Sequence, residues 1–497
     1  MSMDQSSWVV ACDPGLSMEE AVAGWSSDHR ISFQTSLPRH SDSGMQLQVV
    51  EYAAPTTHDT CSDPIQVFEE AVEAFHTDYL HNMERKMHKF PPSLIDVFPR
   101  YYSPATVAIG PYHHGHPGML EAERVKHVAA TQCIRDSGRP VQEMYDAVVS
   151  VSSDARSLYH HDVVARFGDD DFFPMMFFDA CFLVQFMRWY HVDDDDLDQA
   201  LVIYFYANFE RISTDILMLE NQIPWVVVET MFRFMPPAPS PWPWEMFVDG
   251  MRRNLKNRMN SGAVQDIIID HTYEPPHLLG LVRFYIVGNK DNKNIEPLAF
   301  AVDKPMSLSI SVAELADVGI TVVPQPREKI EAGLVDMGFH KKYPFFGVLV
   351  VPPLCLTEAN ATWLVNMAAF ELCKTPEFED DDTGAEKSDV CSYLQLFTML
   401  LDQEKHVHEL RENHVIEGGG LTSKETLEFF TSIGQNMQVG KSYLDIIIQI
   451  ENFKQSRSCW QKSWIFSNKN RNKIMAVISA IGVVIGILSS LQAFKPR

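Results

Sequence analysis

Residues 172–190 read FFPMMFFDACFLVQFMRWY. As a helix, this stretch is apolar nearly all round, since large hydrophobic side chains fall on every face. A helix without a polar face belongs at the centre of a fold, packed on several sides by other elements. The stretch therefore predicts the central helix of a mainly helical, irregular body. A few short strands are also expected, the best candidate being FFGVLVV at 345–351.

Upstream of this helix, prolines interrupt the helical pattern. Four proline-containing steps lie within 22 residues: Phe90-Pro91-Pro92, Phe98-Pro99, Ser103-Pro104 and Gly110-Pro111. Each proline removes an N–H donor and biases the residue before it towards extended geometry. We therefore expect an irregular or extended belt here.

The belt leads into His113 and His114, for which two interpretations remain open. Hydrogen-bonding histidines could pin the belt to the helical body. Alternatively, the protein could be an enzyme or a metal-binding protein that uses the His113/His114 region, because neutral imidazole suits zinc or copper. Adjacent side chains of an extended segment point apart, and no nearby cysteine completes a metal site, so we predict no metal and no cofactor.

The C-terminal end carries a long uncharged segment. Residues 474–494 read IMAVISAIGVVIGILSSLQAF, between Lys473 and Lys495. As a helix this segment would be about 31 Å long, enough to cross the hydrocarbon core of a bilayer. We predict a single-pass anchor with the lipid bilayer as its partner. More basic residues precede the segment than follow it, which places the bulk of the chain in the cytosol.

Small residues recur every four positions in this segment, a spacing that lets two membrane helices approach closely and would allow a homo-oligomer. The residues that define the predicted transmembrane helix and its small-residue face are Ile474, Gly482, Gly486, Ser490 and Phe494.

Composition excludes some classes of function. The 497 residues carry a formal net charge of −25, which argues against a nucleic-acid partner because phosphate binding needs a basic surface. Eight scattered cysteines indicate neither a disulfide scaffold nor a zinc site. The first twenty residues lack the pattern of a cleavable signal peptide. One glycosylation sequon begins at Asn360.

The predicted organisation has five parts. They are a disordered or variable N-terminal segment at 1–62, an N-terminal helical part of the body at 63–235, a proline-rich linker at 236–243, a C-terminal part of the body at 244–468, and a basic neck with the anchor at 469–497. The acidic run Asp169–Asp171 is interpreted as solvated loop charge. No catalytic motif is recognisable, so a non-enzymatic interaction protein with an unidentified protein partner is expected.

Six motifs follow one another in a specific order. They are IGPYHHG at 109–115, Glu123 with Lys126, FDACF at 178–182, LMLENQIP at 217–224, AELADVGI at 313–320 and NMAAFE at 366–371. Together with the C-terminal segment, this order resembles the plant family named domain of unknown function 247. Ile95 and Phe98 depart from the family pattern, so the chain is similar to a divergent member.

The resemblance implies a plant protein, and some family members are linked to self-incompatibility in grasses as pollen-side recognition determinants. It therefore implies a role in recognition and signalling. The signature residues, interpreted as structural, are Gly110, Pro111, Tyr112, His113, His114, Gly115, Glu220, Asn221, Gln222 and Pro224.

Overall fold

The computed structural model describes residues 83–96, 99–190, 197–236, 242–256, 268–270, 272–288, 310–326, 333–343, 346–374, 388–437 and 440–455, with isolated positions within 68–76 and 470–483. The chain divides into two units, Met1–Asp63 and Pro64–Arg497, and every described residue belongs to the second. The predicted N-terminal segment, 1–62, and linker positions 237–241 lie outside the described residues.

Helices dominate the described part of the chain. They are α1 (Pro92–Ile95), α2 (Leu120–Ser137), α3 (Val141–Ala155), α4 (His161–Val164), α5 (Asp169–Trp189), α6 (Gln199–Asp215), α7 (Trp225–Phe232), α8 (Pro243–Leu255), α9 (Leu278–Val287), α10 (Val312–Asp317), α11 (Glu358–Lys374), α12 (Asp389–Leu400), α13 (Glu404–Glu412), α14 (Ser423–Asn436) and α15 (Lys441–Gln455). Short 3-10 turns lie at Pro117–Met119, Arg156–Leu158 and Leu334–Asp336. The prediction of a mainly helical body is confirmed.

The strands are few and short, also as predicted. They are β1 (Ile320–Pro324), β2 (Gly338–Tyr343), β3 (Phe346–Val351), β4 (Leu354–Cys355) and β5 (Ile416–Glu417). β3 lies between β1, with which it pairs in parallel, and β2, with which it pairs antiparallel. β4 and β5 form a separate parallel pair. β3 confirms the strand predicted from FFGVLVV at the positions that the structure describes.

Helix α5 contains the apolar stretch 172–190 except for its last residue, and it packs against α2, α3, α7 and α8. Fourteen of its 21 residues are buried. The helix begins at Asp169, so the acidic run Asp169–Asp171 is its first turn and the interpretation as a loop was wrong. Carboxylates are favoured there because the N-terminus of a helix carries a partial positive charge.

Aromatic packing joins the two parts of the body. Phe186 of α5 makes edge-to-face contacts with Phe205 of α6 and with Phe247 of α8, at centroid distances of 5.2 and 6.0 Å. All three side chains are fully buried, and burying each contributes roughly 1.5–3 kcal/mol. Since Phe247 follows the proline-rich segment and Phe186 precedes it, residues on both sides of 236–243 share one hydrophobic core.

The proline-rich belt is irregular from residue 99 to residue 116, where the structure contains neither helix nor strand. One part of the expectation was wrong, because Pro92–Ile95 forms the single turn α1. Proline is compatible with the first position of a helix, since the N–H that it lacks would have no partner there in any case.

Within the described residues, no helix is both long enough and apolar enough to cross a bilayer. The predicted segment at 474–494 lies mostly outside them. The described positions within it, such as Met475 and Ile481, are helical with more than half of the side chain exposed. The five residues that defined the predicted transmembrane helix all fall outside the described set: Ile474, Gly482, Gly486, Ser490 and Phe494.

Candidate functional site

Four of the six motifs meet where the belt, defined from here on as residues 99–116, crosses the C-terminal end of α6. They are IGPYHHG, Glu123 with Lys126, FDACF and LMLENQIP. Asp215, the last residue of α6, accepts hydrogen bonds from three successive N–H groups of the belt. Its carboxylate oxygens lie 3.1, 2.6 and 2.9 Å from the backbone nitrogens of Ala105, Thr106 and Val107. The N–H of Val107 is buried and needs a partner. Within the described residues, this irregular segment has no neighbouring strand, so the carboxylate provides that partner. Burial raises the pKa of Asp215, and the three N–H bonds oppose that rise.

Asn221 continues this pairing along the belt. Its Oδ1 accepts a hydrogen bond from the N–H of Ile109 at 2.6 Å, and its Nδ2 donates to the carbonyl oxygen of Val107 at 2.9 Å. Nδ2 also donates to the carbonyl of Asp215 at 2.9 Å. A side-chain amide carries both a donor and an acceptor, so it can pair with a backbone as a strand would. The side chain is completely buried.

Gln222 satisfies the end of α6. Its Nε2 lies 2.7 and 2.8 Å from the carbonyl oxygens of Ile216 and Met218. Both carbonyls belong to the turn that follows α6, which ends at Asp215, so the helix itself supplies no N–H for them. Its Oε1 accepts from the N–H of Leu279 at 3.0 Å, so the same side chain ties α6 to α9. Pro224, two residues on, is buried at the start of α7.

A buried ion pair lies beneath the belt. Lys126 and Asp179 each have a side-chain exposure of 1%, and Nζ lies 2.6 Å from Oδ1. Nζ also donates to the carbonyl of Ala108 and to Glu123, both at 2.6 Å, while Oδ2 of Asp179 accepts from the N–H of Gly110 at 2.7 Å. Burial alone would lower the pKa of Lys126, but the two carboxylates outweigh burial and raise it, so the ammonium stays charged at neutral pH.

Gly110 allows the belt to approach the end of α6. Its φ of +76° lies in the left-handed region, and a Cβ at this position would overlap the backbone oxygen of Gln222. That oxygen also accepts a hydrogen bond from the Tyr159 hydroxyl at 3.0 Å. Pro111 is buried next to Gly110, and the Tyr112 hydroxyl donates to a backbone carbonyl before α1 at 2.6 Å. Gly110 therefore has to be glycine for two independent reasons.

The two histidines of the belt have separate surroundings. His113 Nε2 lies 3.5 Å from Oε2 of Glu220, whose other oxygen accepts from the N–H of Phe90 at 2.8 Å. The ring of His114 contacts the Phe167 ring edge-on, with centroids 5.8 Å apart. No group of three His, Cys, Asp or Glu side chains in the described part of the chain is arranged to hold a metal ion. His113 Nε2 and His114 Nδ1 are buried without a hydrogen-bond partner in the described residues, so carboxylates and amides supply the bonds that hold the belt.

Helix α11 supplies a second set of buried polar contacts. Asn366 Oδ1 accepts from the N–H of Leu219 at 2.8 Å, and its Nδ2 donates to the carbonyl of Tyr101 at 2.7 Å. Glu371 accepts two N–H bonds from the first turn of α12, at 3.0 and 2.8 Å, and pairs with Nε of Arg283 at 2.9 Å. Sequence reasoning had identified Asn366 and Glu371 only as part of a motif, and had given Arg283 no role.

A cleft of about 480 Å³ opens between α7, α8, α9 and residues 269, 270 and 273–276. We call it the aromatic cleft. Its walls include Trp225 of α7 and Trp244 of α8, whose ring centroids are 6.0 Å apart at 76°, and Tyr285 of α9. The charged side chains that line it are Arg85, Glu229, Arg233, Asp270 and Glu274. No sequence pattern indicates this cleft, because its residues come from segments that only the fold brings together.

Comparisons with known proteins identify relatives of the chain in one plant. The UPF0481 protein At3g47200 of Arabidopsis thaliana is 23% identical over 396 residues, which cover 73% of this chain and 75% of that protein. The putative UPF0481 protein At3g02645 of the same plant is 28% identical over 146 residues, 29% of this chain and 26% of that protein. No solved structure matches the chain significantly. Residues 87–489 match the family of domain of unknown function 247, described as plant protein of unknown function, and the chain belongs to that family.

Proposed function

We propose that this protein is a membrane-anchored, non-enzymatic interaction protein of plants, in which the signature residues build a rigid body and the surface recognises a protein partner. The observation that carries the proposal is the use of the buried polar groups in the signature motifs and of Asp215, which lies just before one of them. Asp215, Asn221, Gln222 and the Asp179–Lys126 pair are buried, and all of them bond to the protein's own backbone. Because these side chains bond to the protein's own backbone, we infer that they stabilise the fold and do not form a reaction centre.

The anchor part of the proposal rests on the uncharged stretch 474–494. Flotation of a detergent-free lysate on a density gradient tests it. The full chain should float with membranes, and a chain ending at Asn470 should stay at the bottom. The matched control replaces Ile481 and Ile485 by Lys, because each charge near a helix centre costs roughly 3 kcal/mol of insertion free energy. A full chain that stays soluble would refute the anchor.

Burial of the sequon supports a cytosolic body. Asn360 is completely buried, and its Nδ2 donates to the carbonyl of Cys355 at 2.7 Å. A glycan on Nδ2 would remove this bond and could not fit within the core, so the folded body is incompatible with modification at Asn360. Protease protection of an N-terminal tag in intact vesicles tests the orientation, since a cytosolic body leaves the tag open to digestion.

Recognition is assigned to the polar residues 1–62 and to the acidic runs at 193–196 and 379–382, because their composition suits a surface and surface segments can vary without disturbing a core. The finer form of the proposal is a pollen-side determinant of self-incompatibility. It predicts that the protein accumulates in pollen and that loss of the gene changes which pollen is accepted. Two results would instead support the enzyme or metal-binding alternative. One is a stoichiometric amount of metal in the purified chain. The other is a turnover that a normally folded His113→Ala variant loses.

A further inference from the structure

We propose that the outer edge of strand β2 binds an acidic, extended segment of a partner protein, which adds to the sheet as a further strand. This inference rests on the proposed interaction function and adds a surface of the body to the recognition segments. In this mode of recognition, main-chain hydrogen bonds supply affinity, and side chains at alternate positions supply specificity.

Strand β2 lies at one edge of the three-stranded sheet. Among the described residues it pairs with β3 alone, in an antiparallel register that runs from Gly338 opposite Val350 to Tyr343 opposite Phe346. Alternate backbone N–H and C=O groups of an edge strand point away from the sheet. The outer edge of β2 therefore presents a row of donors and acceptors with which an incoming strand can pair.

The body holds this edge in place. Phe339 of β2 is buried, and the centroid of its ring lies 5.2 Å from that of Phe453 on α15. Gly347 of β3 leaves room for the same ring, since a Cβ at that position would overlap it. Because the edge is already ordered, binding has to fix only the incoming segment, which lowers the entropic cost of association.

Three consecutive basic side chains follow Phe339 along the strand. His340, Lys341 and Lys342 are exposed, and in the part of the chain that the structure describes none of them has a carboxylate within ion-pair distance. The carboxylate of Asp336, just before β2, accepts a hydrogen bond from the N–H of Gly333 at 2.9 Å. Oppositely charged residues on neighbouring strands attract each other, so the basic side chains favour a segment that carries Asp or Glu.

The same charges disfavour two other occupants. Lysines on an edge strand oppose pairing with a like-charged edge, which argues against a second copy of β2. A long polyanion is also disfavoured, because the chain as a whole carries a net charge of −25 and would repel it. A short acidic segment avoids most of that repulsion, since charges more than about 8 Å apart are largely screened at physiological salt.

Fluorescence anisotropy of labelled heptapeptides with the purified full-length chain tests the proposal. The acidic probe is acetyl-Thr-Glu-Val-Asp-Val-Glu-Thr-amide. A neutral probe carries Gln and Asn in place of Glu and Asp, and an N-methylated probe keeps the charges but lacks the backbone N–H groups. We expect saturable binding of the acidic probe. The neutral probe should bind about threefold to tenfold more weakly, and the N-methylated probe more than about tenfold more weakly.

Paired substitutions locate the binding. Lys341→Gln with Lys342→Gln should weaken binding of the acidic probe about threefold to tenfold and leave binding of the neutral probe unchanged. The matched control is Lys405→Gln with Lys424→Gln, which changes the net charge equally at exposed positions of α13 and α14. The control should leave binding of both probes unchanged.

Three results would overturn the proposal. The first is absence of binding of the acidic probe to a chain whose circular dichroism shows it to be folded. The second is equal weakening by the two double variants. The third is equal binding of the acidic and N-methylated probes, which would indicate a contact between charges without an added strand.

Two further results would assign β2 to a different occupant and so also contradict the proposal. Binding of the probe only after residues 379–382 are replaced by Ser and Asn would identify the chain's own acidic run. A dimer in sedimentation that Lys341→Gln with Lys342→Gln abolishes would identify a second copy. None of these measurements depends on membrane association, so flotation of the same variants separates failure of this inference from failure of the proposed anchor.

Discussion

Replacement of Lys126 by methionine should reduce the free energy of unfolding by about 3–5 kcal/mol, because it leaves the Asp179 carboxylate buried without its counter-ion. The ammonium lies 2.6 Å from that carboxylate, and both side chains are 1% exposed, so water cannot replace it. The carbonyl of Ala108 would also lose its donor. Asp179→Asn should cost less, because an amide oxygen can still accept from Gly110 and Lys126 keeps Glu123.

Urea titration followed by both circular dichroism and tryptophan fluorescence measures these changes, provided that the two transitions coincide. In the double variant, Lys126→Met with Asp179→Asn, the loss should be smaller than the sum of the single losses by about 1–3 kcal/mol. Arg139→Met is the control, since its ion pair with Glu143 is exposed and should contribute less than about 1 kcal/mol. If Lys126→Met and Arg139→Met prove equally mild, the buried pair does not hold the belt.

Gly110→Ala should lower the free energy of unfolding by about 2–5 kcal/mol, because the new Cβ would strain the left-handed backbone and overlap the neighbouring backbone. Gly115→Ala should cost only about 1–2 kcal/mol, because Gly115 has a φ of +78° but open space around it. Thermal unfolding ranks the two variants, and equal losses would contradict the overlap at Gly110. Endoglycosidase treatment of the native protein should cause no mobility shift, because the Asn360 amide is buried, and a shift would place the chain in the lumen during synthesis. Burial lowers the pKa of His277 well below its usual value and that of His88 to about 4. Below pH 6.5 the unfolded chain therefore binds more protons at these histidines than the folded chain does. The free energy of unfolding should fall as the pH drops, by up to about 1.4 kcal/mol per pH unit for each histidine. For His88 this fall should end at about pH 4. Urea unfolding midpoints at pH 7 and pH 5 measure this loss of stability. His277→Asn should make the loss smaller, and equal midpoints in the parent chain would contradict the lowered pKa of these histidines.

Local patterns in the sequence predicted the elements that depend on local periodicity. The all-round apolar stretch identified α5, and an uninterrupted run of β-forming residues identified β3. The signature motifs marked positions such as Asn221 correctly, but only as members of a resemblance. Their physical roles depend on partners far along the chain. Asp215, which no motif includes, bonds to backbone groups 108–110 residues earlier, and an isolated aspartate at the end of a helix carries no periodic signal of that contact.

The aromatic cleft was missed for a related reason. Trp225, Trp244 and Tyr285 lie on three helices, and nothing in their spacing indicates that their rings share one cavity. The C-terminal anchor differs from both cases. The anchor is predicted from the length and composition of residues 474–494 alone. It stays a prediction because most of that stretch lies outside the described residues.

The hydrogen bond from Asn366 to the carbonyl of Tyr101 joins residues separated by 265 positions. A ribosome that adds about 5–20 residues per second needs roughly 13–53 s to synthesise the intervening chain. Throughout that interval the nascent belt lacks its final partner, and apolar helices such as α5 have already left the exit tunnel. Biogenesis of this protein therefore includes a waiting period during which part of the hydrophobic core is still incomplete.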